Sequence, residues 1–258
     1  MFDEWCEIEE TEHNNRKTRF SLTERIDGRD AIQDDLAECI RSHYDDLDHI
    51  ADDIKELGFP GAAAVLHERL PRTARARSGD MGEILATEFV EFQTDLCIPV
   101  RRLRYKDGRE MALRGVDFLG IDRDENDRLV FLKGEAKSGR RVTPAVIDQA
   151  RTALSDEDGR PTPISLLFIA DRLLESDDDG DVELGREIRN EVALKTVPAR
   201  RITHGLFILS GNAPLDDLDD DLVAADEAHK HVSACLHVED HGPFIAAIYE
   251  EAGNLGDD

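Results

Sequence analysis

The sequence predicts an α/β fold in which helices flank a mixed sheet and a mostly helical region comes first. Three observations support this class. Apolar residues recur at helical intervals in the first quarter of the chain, two short apolar runs flank a turn-rich stretch in its middle, and later strand-like runs alternate with helical ones. With 258 residues and 40% apolar content, the chain can form one large domain, or a core domain with a smaller attachment.

The first 70 residues are predicted to be mostly helical, and a partner-binding or regulatory role is considered for them. Residues 1–29 are polar and are left unassigned, apart from a short strand over Thr18 to Leu22. Apolar spacing predicts helices over three stretches, which are residues 30–42, 44–57 and 62–70. Gly58-Phe-Pro-Gly61 is expected to end the second of them.

Residues 71–258 are predicted to form the main domain, with its central motifs between residues 80 and 170. Asp80 is a candidate N-cap for a helix to Gln93. A further helix is expected from the N-cap Thr143, with Pro144 at its first position, to Leu154. A last helix is expected over residues 182–194. Strands are expected over five stretches, which are residues 98–105, 113–121, 129–137, 164–170 and 204–210.

The turn-rich stretch from Asp122 to Asp127 predicts a β-hairpin centred near Asn126, which places Asp117 directly opposite Glu135. Side chains opposed in this way start about 5 Å apart at Cβ. Two carboxylates so close repel each other unless a divalent cation lies between them. Lys137, two residues beyond Glu135, points to the same face of the strand. This arrangement predicts a metal centre for phosphodiester hydrolysis.

The expected metal is Mg²⁺, with Mn²⁺ as a possible substitute. Its predicted ligands are Glu83, Asp117, Glu135 and the Ala136 carbonyl. Such an ion lowers the pKa of a bound water and binds the scissile phosphate. Lys137 would position that water or neutralise developing charge, and Gln149 on the following helix would orient Lys137 or a phosphate. A Glu-x-Lys triplet alone more often marks an exposed, salt-bridged strand, so the hypothesis depends on the whole set.

The chain is strongly acidic, with a net charge of −26 from 58 acidic and 32 basic residues, as in proteins of extreme halophiles. Residues 1–68 carry −12 and residues 153–258 carry −17, whereas residues 69–152 carry +3. Guanidinium groups suit phosphate contacts. We therefore predict DNA-binding arginines at positions Arg75, Arg77, Arg101, Arg102, Arg104, Arg140 and Arg141. The alternative for any single arginine is an ion pair with a surface carboxylate.

Cysteine spacing and hydropathy predict a cytoplasmic protein without membrane association. The four cysteines show no CxxC spacing, which argues against a zinc site or a disulfide framework. No apolar stretch has signal-peptide or membrane-span length. The histidines His229, His231 and His237 are weaker candidates for a site, and core or surface roles are expected for them.

Four motifs together resemble the PD-(D/E)xK nuclease superfamily. They are Gly82-Glu83, Gly115-Val-Asp117, Glu135-Ala-Lys137 and Gln149, and the match covers about residues 80–170. The runs 77–85 and 102–118 are similar to the nuclease subunit of the Hachiman anti-phage defence system, and that similarity extends over most of the chain. Val116 stands where many superfamily members have proline, at a position that varies widely.

The resemblance implies a restriction-endonuclease-like core, Mg²⁺-dependent deoxyribonuclease activity and a superfamily 2 helicase as partner. Two alternatives remain. One is a restriction or repair endonuclease that uses the same centre without a helicase. The other is a non-catalytic DNA-binding or regulatory subunit, although the intact acidic and lysine residues of the motifs favour an enzyme. The DNA preference, the activation trigger and the oligomeric state stay open.

Overall fold

A six-stranded mixed sheet forms the centre of the computed structural model, which describes residues 1–195 and 197–256. Its strands in chain order are β1 (Cys6–Asn14), β2 (Lys17–Glu24), β3 (Phe118–Arg123), β4 (Leu129–Gly139), β5 (Ile202–Ser210) and β6 (Lys230–His237). Their spatial order is β1-β2-β6-β5-β4-β3. The β1–β2 and β3–β4 pairs are antiparallel, and the pairs between them are parallel.

Helices cover both faces of the sheet. In chain order they are α1 (Phe2–Trp5), α2 (Gly28–Tyr44), α3 (Leu47–Arg69), α4 (Ala74–Gln93), α5 (Pro144–Ser155), α6 (Pro163–Leu174), α7 (Asp179–Leu194), α8 (Leu215–Ala224) and α9 (His241–Gly253). Even-numbered β4 residues such as Leu132 share a core with α1, α2, α4 and α9. Odd-numbered residues face the helices α5 to α8, which form two further apolar clusters. None of the helices in the described ranges is long and apolar enough to cross a membrane.

The N-terminal region contributes strands as well as helices. The predicted strand at Thr18 to Leu22 lies within β2, which pairs with β1 on one side and β6 on the other. The predicted helix over residues 30–42 lies within α2, and the one predicted over residues 44–57 is confirmed from Leu47, where α3 begins. Gly58, with a φ of 69°, interrupts α3 where the sequence predicted an end. The division of the chain at residue 70 stays a prediction.

Two predicted strands are wrong. Residues 98–105 contain a 3₁₀ turn at Arg102–Tyr105, and only Cys97 makes an isolated bridge, to Ile121. The run from Ile164 to Ala170 lies in α6, whose first residue is Pro163. A short apolar run does not distinguish a buried strand from a buried helix. The deciding signal was local, because the Thr162 hydroxyl accepts a hydrogen bond from the Ser165 amide and caps the helix.

The other elements of the main domain agree with the sequence in kind but differ in their bounds. Helix α4 starts seven residues earlier than predicted, with Thr73 rather than Asp80 as its N-cap. Thr143 and Pro144 do begin α5, and the helix predicted at 182–194 is α7. Strands β4 and β5 contain the predicted residues 129–137 and 204–210, whereas β3 begins at Phe118 rather than at residue 113.

Close packing at Gly134 lets the Phe118 ring lie across β4. A methyl group at position 134 would lie 2.2–2.4 Å from the ring atoms of Phe118, whose side chain is buried. Gly134→Ala should therefore lower the free energy of unfolding by about 1–3 kcal/mol, measured by urea denaturation. Gly79→Ala is the control, because nothing lies within 4 Å of the added methyl. It should raise helix stability by up to about 1 kcal/mol. Equal stabilities of the two variants would contradict this packing argument.

Candidate active site

The predicted hairpin register is confirmed. The ladder between β3 and β4 ends with Phe118 paired to Gly134. Asp117 is the next residue and leaves the ladder, and its amide donates to the Gly134 carbonyl at 3.1 Å. Strand β4 continues to Gly139, so beyond Gly134 its edge facing β3 has no strand partner among the described residues.

The Asp117 carboxylate takes the place of the missing strand partner. Its Oδ2 accepts a hydrogen bond from the Ala136 amide at 2.8 Å. The N–H and C=O of one strand residue point to the same side, so the Ala136 carbonyl faces this open edge as well. On β4 itself, the Lys137 Nζ lies 2.9 Å from Glu135 Oε2. Asp117, Glu135, Lys137 and the Ala136 carbonyl thus meet at one edge.

Helix α4 brings Glu83 to the same place because it packs closely on β4. A methyl group at Gly82 would lie only 3.2 Å from the Ser138 Cβ. Glu83 and Asp117 line one small cavity together with Arg102. The carboxylate oxygens of Glu83, Asp117 and Glu135 do not all lie within 4.8 Å of one another. Two other groups of possible metal ligands in the described ranges do meet this distance, and they are discussed below. Asp117 is near both of the other carboxylates, since its charge raises the pKa of Glu83 and that of Glu135.

Burial and mutual repulsion make the three carboxylates hard to ionise. Burial, followed by the Asp117 charge, raises the pKa of Glu135 to about 7. Burial raises the pKa of Asp117, and burial with the Asp117 charge raises the pKa of Glu83 well above its usual range. The pKa of Lys137 is raised, since the attraction of Glu135 outweighs burial. Lys137, Arg102 and Lys106 offset part of the negative charge of the site.

The donor set fits a hard divalent cation. It consists of carboxylate oxygens and one backbone carbonyl, which are the ligands that Mg²⁺ prefers. The Lys137 ammonium donates a hydrogen bond to one oxygen of Glu135, which shows that a positive group is accommodated beside this carboxylate. The residues present therefore match the predicted metal.

Arg102 is a member of the site that sequence reasoning placed on DNA instead. It is buried, and its guanidinium donates to the carbonyls of Asp117 at 3.2 Å and Arg114 at 2.7 Å. It also lies 5.7 Å above the Phe168 ring. Arg102 thus anchors the loop that leads into Asp117. No motif marks this role, because its partners are backbone atoms.

Gln149 is not brought into contact with the carboxylates. It is exposed on α5 and makes no side-chain hydrogen bond within the described part of the chain. Its expected role in orienting Lys137 is therefore unsupported by a contact, and a role toward substrate stays a prediction.

The predicted DNA-binding arginines fall into two groups. Arg101 pairs with Glu91 at 2.6 Å, Arg104 pairs with Asp46 at 3.0 Å, and Arg102 is buried as described. For these three arginines, partners inside the protein describe the structure better than the predicted contacts with DNA. Arg75, Arg77 and Arg140 instead line one surface pocket with His241, and Arg141 is exposed beside them.

A short hydrogen-bond chain joins this arginine pocket to the end of β4. The Ser138 hydroxyl lies 2.9 Å from both the Ser78 hydroxyl and His241 Nε2. Because Ser138 directly follows Lys137, the pocket and the carboxylates lie along the same strand end. The arginines that remain available are therefore those next to the site.

A buried polar network supports α4 one turn before Glu83. Asp80 pairs with Lys106 at 2.7 Å and accepts from the Tyr44 hydroxyl at 2.5 Å. Tyr44 in turn lies 2.9 Å from the Tyr249 hydroxyl. Asp80, predicted as a helix cap, therefore ties α2, α9 and the 106–110 loop to the helix that carries Glu83.

Three buried histidines form a second cluster. His204 and His229 stack with ring centroids 4.2 Å apart, and His231 lies edge-on to His204 at 5.1 Å. Burial lowers the pKa of His204 to about 3 and that of His231 to about 4, so both rings are neutral at pH 7. Core or surface roles were expected for His229 and His231, which are both buried, but their grouping with His204 was missed because it depends on strand pairing.

The family model named HamA matches residues 1–252 of this chain. The chain belongs to the HamA family. A curated HamA-family relative, the Hachiman protein HamA of Bacillus cereus, is 23% identical over 257 residues, which cover 97% of this chain and 90% of the relative. All site residues described above lie inside the matched HamA span, so the family covers the sheet, the carboxylates and the arginine pocket.

The raised pKa of Glu135 predicts a pH-dependent stability. The pKa of about 7 in the folded protein exceeds the ordinary value of 4.5, so the stability that Glu135 contributes is full below pH 4.5 and is lost as the pH rises through 7. In the presence of a chelator, the free energy of unfolding of Glu135→Gln relative to wild type should increase by on the order of 1–3 kcal/mol as the pH is raised from 4.5 to 8. Urea denaturation at each pH measures this difference. Glu125→Gln, at an exposed turn position, is the control. A difference independent of pH would contradict the buried charge.

Proposed function

We propose that this HamA-family chain is a Mg²⁺-dependent deoxyribonuclease that acts in anti-phage defence. The observation that carries the proposal is the convergence of Asp117, Glu135 and Lys137 at the open edge of β4, with Glu83 beside them. Helix α4, the antiparallel pair β3–β4, helix α5 and the parallel strand β5 follow the helix, three-strand, helix, strand order that the resemblance implies for a PD-(D/E)xK core, except that the first of the three strands is replaced by irregular chain with a 3₁₀ turn and that helices α6 and α7 are inserted.

Each residue of the edge has a chemical role in this proposal. A bound Mg²⁺, for which Mn²⁺ could substitute, would supply an activated water and neutralise charge on the phosphate. Asp117, Glu135, the Ala136 carbonyl and Glu83 are the groups that would hold it. Lys137 stabilises the negative charge that develops on the phosphate, since its ammonium lies at the same edge. Arg102 keeps Asp117 in place through its carbonyl.

The arginine pocket is the proposed path of the DNA backbone. Arg75, Arg140 and Arg141 are exposed and have no side-chain partner in the described ranges, so their guanidinium groups are available to phosphates. The pocket reaches β4 through Ser138, next to Lys137. A strand bound there would pass the carboxylates.

The defence setting rests on the family. The Bacillus cereus relative is named as a Hachiman protein, and the resemblance of the motifs to that system implies a superfamily 2 helicase partner. We infer that this chain works with such a helicase. Cleavage by the isolated chain at full rate would instead favour an endonuclease without a helicase partner.

Cleavage of linear and plasmid DNA should require Mg²⁺ and the carboxylate edge. Glu135→Ala and Lys137→Ala should each lower the initial cleavage rate at least about 100-fold, because each removes charge stabilisation at the reacting phosphate. The rate is measured on gels at high salt, with the chain alone and with a candidate helicase.

Glu125→Ala and Lys55→Ala are matched controls, since both side chains are exposed and Glu125 lies in the turn at the opposite end of the β3–β4 hairpin from the carboxylates. They should cleave like wild type. The catalytic proposal is wrong if wild type, Glu135→Ala and Lys137→Ala behave alike in every condition, or if wild type never cleaves with or without helicase.

Binding of catalytically inactive protein to DNA should depend on the arginine pocket. Arg75→Ala and Arg140→Ala should each weaken binding and reduce the slope of log K against log salt by about 1, because each removes one phosphate contact. Arg186→Ala, an exposed arginine of α7, is the control and should leave the slope unchanged. Fluorescence anisotropy over a salt series measures this. If Arg75→Ala and Arg140→Ala gave the same slope as wild type and Arg186→Ala, the DNA would bind to a surface other than the arginine pocket.

A further inference from the structure

The histidine cluster lies at the start of β5 and β6, away from the open edge of β4. His204 on β5 pairs in register with His231 on β6, and His229 precedes β6 by one residue. His204 is fully buried and His229 is 7% exposed, whereas the Asp226 side chain is 45% exposed. The cluster is therefore a closed pocket with one carboxylate that reaches solvent.

Hydrogen bonds fix the tautomer of each ring. His204 Nε2 lies 2.9 Å from the Gly159 carbonyl, which can only accept, so this nitrogen carries the proton. His229 Nδ1 lies 3.0 Å from the Asp226 carboxylate and carries the proton for the same reason. His231 Nδ1 accepts from Arg151, so its Nε2 donates to the Asp226 carbonyl. His231 is thereby fully satisfied.

Two ring nitrogens remain as buried lone pairs without a partner. They are His204 Nδ1 and His229 Nε2, and neither has a hydrogen-bond donor in the described ranges. Buried acceptors of this kind cost stability and are rare. A ring that donates its N–H to a carbonyl or carboxylate and leaves its other nitrogen open is the arrangement found in metal-binding histidines.

The backbone around the pocket is held in an uncommon conformation. Glu157, Asp158 and Gly159 all have positive φ, at 58°, 57° and 75°. This left-handed turn presses Gly159 onto the rings, where a methyl group would lie 2.6 Å from His229 Nε2 and 2.9 Å from His204 Nε2. Two non-glycine residues in this region indicate a turn that its surroundings force into place.

The second cluster of metal-ligating side chains has less need of an ion. Cys39, His43 and Glu88 also lie within 4.8 Å of one another. However, Glu88 is paired with Arg101 at 3.1 Å and with His43 at 2.8 Å. Its charge is already balanced.

We propose that His204, His229 and Asp226 bind one divalent transition-metal ion of the zinc type. One ligand atom from each residue lies within 4.8 Å of the other two. Imidazole nitrogens with one carboxylate select zinc over magnesium, whereas the all-oxygen edge of β4 has the opposite preference. The ion would join β5 to the segment before β6.

Binding requires the Asp226 carboxylate to release the His229 Nδ1–H, because this hydrogen bond holds it on the side of the ring opposite the free Nε2. It also requires one ring to tilt. The His204 and His229 planes are 17° apart, and ligand lone pairs lie in the ring planes, so one stacked ring must tilt for both to reach one ion. His229 is the ring that tilts, because it lies next to the exposed Asp226. Zinc bonds of about 2.0–2.2 Å then draw the three ligands together.

The test measures metal content of the full-length chain and does not depend on nuclease activity. Protein purified without chelator should contain about one zinc per chain by mass spectrometry of the metal, and Co²⁺ added to the chelator-stripped chain should give the visible absorption of a four-coordinate site. His204→Gln and His229→Gln should lose both signals. Asp226→Asn, at an exposed position, should weaken zinc affinity about 10-fold or more without unfolding the chain.

His237→Gln and Glu135→Gln are the controls. His237 is half-buried and bonded to the Gly211 carbonyl outside the cluster, and Glu135 belongs to the β4 edge. Both variants should keep wild-type zinc. The proposal is overturned if wild type binds no zinc when it is supplied in excess, or if His204→Gln, His229→Gln and Asp226→Asn all bind as wild type does. A chain without nuclease activity that still binds zinc would separate this site from the proposed function.

Discussion

The site depends on one hydrogen bond, from the Ala136 amide to the Asp117 carboxylate, at the point where β3 leaves β4. If the ladder had continued past Gly134, Asp117 and the residues before it would have paired with β4. The β4 edge would then have been covered. Because a side chain ends the ladder, an acidic group is fixed beside Glu135 and a backbone carbonyl is left facing outward. Arg102 reinforces this end from the other direction by binding the Asp117 carbonyl. Register, edge and ligand position thus follow from the same contact.

Charge explains how the rest of the molecule is arranged around that edge. Three carboxylates with raised pKa values share it, in a chain that already carries −26. Bringing them together without cations would cost stability. The nearest compensating groups are buried or half-buried, namely Lys137 and Arg102, and Lys106 lies one turn away on Asp80. Most other arginines of the middle third are engaged in ion pairs, which leaves the few beside Ser138 for a polyanion.

Local patterns predicted the elements whose signals are local, and failed where tertiary contacts decide. The hairpin register followed from the turn between Asp122 and Asp127, and the Thr143-Pro144 start of α5 followed from capping chemistry. The run at Ile164 to Ala170 was assigned as a strand because its apolar residues fit either structure, and the preceding Thr162-Pro163 cap was overlooked. The internal roles of Arg101 and Arg104, and the grouping of His204 with His229, could not be predicted, since each depends on how separate elements pack against one another.

The position of β2 in the sheet has a consequence for biosynthesis. This strand is made early, yet its inner neighbour β6 lies more than 200 residues later in the chain. While the ribosome adds those residues, β2 can pair only with β1, and β5 has an open side as well. Parallel pairing across such a separation is slow, and exposed strand edges invite association with other chains. The sheet is therefore completed only when β6 leaves the ribosome, and the first hairpin must stay soluble until then, a task for which its row of exposed glutamates in β1 is suited.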